Sequence, residues 1–212
     1  MRMSELSIVA GMPVATIKYY LREGLVPAGT SITATSSSYD GGHVERLQLI
    51  RALVDCAGLS IAQVRRVAQT LDNPPERWHD MLGTAHGVLC GPADEGLETA
   101  SADRLLGRLR WAVGDCSPAR ADLARGLAGL DAAGMEVSAE DLDGYAAAAR
   151  SAATIDVASL PTDSPDAALR QAIIGTALLD PVLVALRRLA QEHISSQTFG
   201  RKRTSATSRT PT

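Results

Sequence analysis

Between Ser4 and Gly24 the chain carries two short stretches with apolar residues at helical spacing, and only Gly11-Met12-Pro13 separates them. Ser4 is a good N-cap, and Leu6, Val9 and Ala10 follow on one helical face, which predicts a helix over residues 5–10. Gly11 ends it. Pro13 suits the first turn of a second helix, where its missing N–H costs nothing, and residues 14–23 continue until Gly24 supplies a stop. Two helices joined by so tight a turn have the form of a helix-turn-helix. In that geometry Val9, Ala10, Ile17 and Leu21 pack inward, while Ala15, Thr16, Lys18, Tyr19 and Arg22 face outward, where a DNA groove can take them.

The next stretch changes character. Residues 26–38 contain Pro27, Gly29 and a run of Ser and Thr around Ile32, and they read as a short hairpin or irregular wing. Tyr39-Asp40 then opens a third helix, with Val44, Leu47, Ile50, Leu53 and Val54 at intervals of three or four, closed by Gly58. Ser60 caps a fourth, whose Ile61, Val64, Val67, Ala68 and Leu71 form another apolar face before Asn73-Pro74-Pro75.

The segments Met3-Ser4-Glu5-Leu6, Ala10-Gly11, Thr16-Ile17-Lys18-Tyr19-Tyr20, Arg22-Glu23-Gly24-Leu25, Tyr39-Asp40 and Gly58-Leu59-Ser60-Ile61 form one ordered pattern. It resembles the winged helix-turn-helix domain of the MerR family of transcriptional regulators. The resemblance covers about a third of the chain. It implies that the second helix enters a major groove and that Lys18, Tyr19, Tyr20, Arg22 and Tyr39 grip the DNA backbone. Tyrosine hydroxyls and Arg or Lys heads donate to phosphate oxygens, and such contacts set register without reading sequence. Two departures stand out: Lys18 replaces the usual Arg, and residues 30–38 lack the usual basic side chains of a wing, leaving Ser and Thr hydroxyls to meet phosphate.

Charge divides along the chain in the same sense. The net charge is −3, yet residues 1–72 carry +1, residues 73–196 carry −8, and the tail from Gln197 carries +4 through Arg201, Lys202, Arg203 and Arg209. An acidic middle repels phosphate, so DNA contact belongs to the first block. Three domains are expected: a DNA-binding domain at 1–73, a helical dimerisation and effector domain at 74–196, and a basic, disordered tail at 197–212.

The fold class is mainly α. Residues 76–89, 102–113, 118–133, 139–153, 165–179 and 181–195 read as six helices of a compact bundle, with Gly91-Pro92 and Pro181 as breaks. The last two are the most apolar, through Leu169, Ile173, Leu178, Leu183, Leu186 and Leu189 among others. They are candidates for a four-helix dimer seam, similar to the C-terminal half of TetR-type repressors, or for an internal core. Family members usually dimerise through one long helix after the DNA-binding domain, but Gly83, Gly87 and Gly91 weaken that segment here.

Trp78, Trp111 and Tyr145 are the aromatics of this half and the candidate walls of an effector pocket, although core packing also suits them. Cys56, Cys90 and Cys116 lack ligand spacing, and no acid or Cys completes a set with His79 and His86, so no metal and no cofactor is expected. Cys56 is expected to be a small buried side chain. No nucleophile elbow, phosphate loop or acid-base constellation suggests an enzyme. No apolar run of about 18 residues and no leader are visible, which points to the cytoplasm and away from a membrane partner. The sequence thus supports a homodimeric regulator that binds double-stranded promoter DNA, works with RNA polymerase and responds to a small organic effector. The alternative is a helical protein that sequesters a small molecule, its DNA-binding part secondary or degraded.

Overall fold

A donor at the first helix start sets the frame. The Arg2 N–H donates to the Glu5 carboxylate at 2.7 Å, and α1 (Met3–Ala10) begins before the expected cap at Ser4. Gly11 has φ of 62° and lets Met12 N–H return to the Ser7 carbonyl at 3.0 Å. A side chain resists that left-handed conformation. The chain then enters α2 (Val14–Arg22). In the computed structural model, residues 1–33, 36–74, 81–89, 98–115 and 117–199 are described.

Antiparallel strands β1 (Thr30–Thr33) and β2 (Ser36–Ser38) form the wing. Asp40 accepts from His43 N–H at 3.2 Å to start α3 (Gly41–Asp55). Ser60 starts α4 (Ile61–Asp72) through a reciprocal pair: Gln63 N–H donates to Ser60 Oγ, and Ser60 N–H donates to Gln63 Oε1 at 3.0 Å. Leu6, Ile17, Leu25, Leu47, Ile50, Leu53, Val64 and Val67 are buried completely or nearly so and form the centre of this region. Val9, expected inside, is 56% exposed. The inward line of α1 runs through Leu6 and Ala10, one turn apart, and Val9 lies about 100° from Ala10 around the axis. Cys56, expected to be buried, is exposed just past the end of α3.

The remaining described helices are α5 (Met81–Leu89), α6 (Ala100–Leu109), α7 (Pro118–Ala132), α8 (Ala139–Ala158) and α9 (Pro165–Phe199). The chain is mainly helical, as expected, but the arrangement departs from a compact bundle. The two closing segments are one helix of 35 residues with Pro181 inside it. Proline there removes the bond to the Ala177 carbonyl, but Ala- and Leu-rich turns on both sides carry the helix through. Its first half presents Ala168, Leu169, Ala172, Ile173 and Ala177 as a buried stripe against α3, α4 and α5. Its second half is exposed from Leu179 to Phe199. Helix α8 buries no residue among those described.

One apolar cluster therefore runs from Leu6 and Ile17 through Val64 and Val67 to Ala85, Val88, Leu169 and Ile173. A polar link accompanies it: Gln63, already capping α4, donates through Nε2 to the Leu89 carbonyl at 2.7 Å, closing the end of α5 onto the start of α4. Further out, Arg120 of α7 donates to Asp103 of α6 at 2.5 and 2.8 Å and holds the Asp103 carboxyl below the usual range. By length and composition Ala167–Phe199 could also cross a membrane, with mean hydropathy of 1.5 in its most apolar window. Dividing this stretch at Pro181 hid that length.

Ile173→Ala should cost about 2–5 kcal/mol, as a large-to-small change at a fully buried site does. Because the core is shared, urea unfolding should stay one transition and amide exchange in α3 should speed up. Unchanged protection of α3 would mean that α9 and the first four helices unfold separately.

Candidate nucleic-acid interface

Helix α2 has two faces. Ile17 and Tyr20 are buried, and Ala15, Lys18, Tyr19 and Arg22 are exposed. The exposed set follows i, i+3, i+4, i+7, which places all four on one side of the helix. Thr16 is half-buried at its edge.

The charges of this region sort themselves by partner. Arg46 pairs with Asp72, Arg65 pairs with Glu23, and Arg51 lies 3.4 Å from Asp55. Arg46 thereby joins α3 to α4 and Arg65 joins α4 to the end of α2, while Arg51 pairs within α3 and donates to the Gly11 carbonyl. Arg2, Lys18 and Arg22 are exposed and make no ion pair among the described residues. They are the cations left for an external anion. Arg2 was not singled out in the sequence, since its position at the start of α1 says nothing about its neighbours.

The three tyrosines take different places. Tyr19 is partly exposed beside Lys18, and its ring lies 5.7 Å from that of Tyr20. Tyr20 is 8% exposed, and burial, with the nearby Asp55 carboxylate and Tyr19, pushes its phenol above the ordinary value. Tyr39 is equally buried, edge-on to His43 at 5.2 Å. Its backbone clamps the chain start: Tyr39 N–H donates to the Met1 carbonyl, and the terminal ammonium donates to the Tyr39 carbonyl at 2.6 Å. Tyr20 and Tyr39 are thus packing residues in the free protein, with Tyr19 the most accessible ring of the three.

The wing stands beside Tyr39 because Gly29 has no side chain. A Cβ there would sit 2.7 Å from both the Ser38 carbonyl and the Tyr39 ring. The strand register shifts between Ser31 and Thr33, and Ile32 in that step is 60% exposed. Next to it, bonds from the His43 ring and backbone hold the Asp40 carboxyl below its usual range. Residues 34 and 35 lie outside the described residues.

A family model of the MerR helix-turn-helix regulatory proteins matches residues 1–71. The crystal structure of SCO5550 from Streptomyces coelicolor A3(2), a protein assigned as a transcriptional regulator, is similar over nearly the whole chain. The identity is 32%, 94% of this chain and 98% of that one are covered, and the TM-score is 0.67. This chain belongs to the MerR family. No curated protein matches it. The MerR domain makes it a DNA-binding transcriptional regulator, and the match to SCO5550 extends the likeness through the helical part.

Of the candidate effector residues of this MerR-family regulator, Trp111 and Tyr145 are among the described residues. Trp78 lies outside the described residues, as do His79, Cys90 and Cys116. Trp111 follows α6 half-buried, its backbone N–H donating to the Leu106 carbonyl at 3.1 Å. Tyr145 is 57% exposed on α8, under the Arg187 guanidinium at 5.8 Å.

Lys18→Ala and Arg22→Ala should each weaken binding to any duplex and lower the slope of log affinity against log salt by about 1, the signature of one lost phosphate contact. Retardation assays at several salt concentrations measure this. Unchanged slopes in both variants would move the interface off the exposed face of α2.

Proposed function

We propose that this regulator acts on promoter DNA as a homodimer, with the exposed face of α2 in the major groove and the wing beside it. The carrying observation is the unpaired pair Lys18 and Arg22 on the same helical face as Ala15 and Tyr19. Ala15 and Thr16 lie near the N-terminal end of α2, the part of a recognition helix that approaches base edges. Lys18, Tyr19, Arg22 and Arg2 take phosphate. Tyr20 and Tyr39 support from beneath and contact the backbone only if their hydroxyls reach past their buried rings.

Dimerisation is assigned to the second half of α9. Val182, Leu183, Leu186 and Leu189 are 41–58% exposed there, and water on so many large aliphatic side chains of one helix is costly. A second copy packing on this face would set two α2 helices at a fixed spacing and favour a two-fold symmetric operator. An organic effector that prefers one arrangement of the dimer would then change how RNA polymerase meets the promoter, by favouring one shape of the bound duplex. A cytoplasmic location and a helical domain at 74–196 that carries dimerisation and sensing belong to the same reading. The shared core gives the two parts a mechanical connection.

Leu186→Glu and Leu189→Glu together should give a monomer in sedimentation and weaken retardation of the protein's own upstream region. Both positions are exposed, so the fold should survive. Removing everything after Leu160 is a poorer test, because it strips Leu169 and Ile173 from the shared core. A double variant that stays dimeric would place the seam elsewhere.

A further inference from the structure

Two cavities lie on either side of His86 and Thr176, which line both. The first, of ≈190 Å³, is walled mainly by apolar side chains of α8 and α9, with Asp156 and Gln171 at its polar edge. The second, of ≈470 Å³, lies between α5, α7, α9 and the α3–α4 turn, whose Ala57 and Leu59 form its wall, and Asp180 borders it. Among the described residues, no Lys or Arg lines either cavity. Asp122 also borders the second, but it pairs with Arg125 at 2.6 Å. Asp156 and Asp180 have no Lys or Arg partner among the described residues.

We propose that these adjoining cavities bind a small organic amine, its ammonium between Asp156 and Asp180 and its apolar body against the aliphatic walls of α8 and α9. An ammonium meets both carboxylates by charge-assisted hydrogen bonds, whereas a carboxylate ligand would be repelled by both. Asp180 keeps part of its surface in water. The surrounding protein nevertheless raises its pKa by desolvation, and Asp156 adds to this while His86 opposes it. A bound cation relieves that repulsion. The combined space suits a small organic molecule.

The location also couples the site to DNA. Ala172 and Ala177 line the cavities on one side and belong to the apolar cluster shared with α3 and α4 on the other. A molecule wedged there changes how α9 seats on the DNA-binding helices. This last step rests on the proposed effector-responsive regulator; the binding site does not.

The test uses full-length protein with benzylamine, phenethylamine and tryptamine as probes and benzoate as the anionic control. At least one amine should bind saturably in calorimetry and raise Tm, and benzoate should do neither. Asp156→Asn and Asp180→Asn should each weaken the amine about tenfold, the loss of one charge-assisted bond. Gly175→Leu fills the first cavity, since a Cβ at Gly175 meets nothing within 4 Å. It should keep the helical spectrum but lose the amine. The site is overturned by failure of all three amines to bind, by equal binding of benzoate, or by wild-type binding in Gly175→Leu. Saturable amine binding that leaves retardation unchanged upholds the site and overturns its regulatory role. Absence of DNA binding in any condition overturns the proposed function and leaves the amine result to stand on its own.

Discussion

The seat of α9 on the first four helices is the contact on which the rest of the molecule depends. A helix-turn-helix of two short helices has little surface to bury, and small domains are correspondingly marginal. Here the stripe from Ala168 to Ala177 extends that core, with Leu169 and Ile173 almost fully enclosed. Small alanines let the helix approach closely, and the two large residues fill the space between α3, α4 and α5. The far end of the chain thereby becomes part of the stability of its beginning.

That arrangement gives the polar contacts their meaning. Gln63 uses its oxygen to cap α4 and its amide nitrogen to hold the end of α5. A movement of α5 therefore acts on the first turn of α4 through one side chain, in parallel with the apolar contacts. Cations follow a similar economy. Those at the joints between helices have acidic partners, and those on the outer face of α2 have none, which leaves a positive face on a region whose net charge is only slightly positive.

The outer helices follow different rules. Helix α8 and the second half of α9 hide almost nothing within the chain, although Ile155, Val157, Leu186 and Leu189 are all large and apolar. Arg187 lies over Tyr145 and marks where these two helices meet. Exposed aliphatic surface of this extent is a feature of chains that complete their core with a partner.

Local chemistry was legible from residue order. Gly11 and Pro13 fix the turn, Asp40 and Ser60 cap α3 and α4, and the run from Lys18 to Arg22 marks the outward face of α2, because each depends on neighbours within a few positions. Val9 and Tyr20 were harder, since a rotation of one residue decides which side of a short helix meets the core. Pro181 misled for a related reason: proline weakens a helix locally, but long helix-forming flanks outweigh one missing bond. The shared core, the partners of Arg46 and Arg65, the isolation of Arg2 and the cavities around His86 could not be read from the sequence at all. They depend on how residues tens to more than a hundred positions apart come to lie in the folded chain: the pairs of Arg46 and Arg65 on the packing of the first four helices, the shared core and the cavities on the packing of α9.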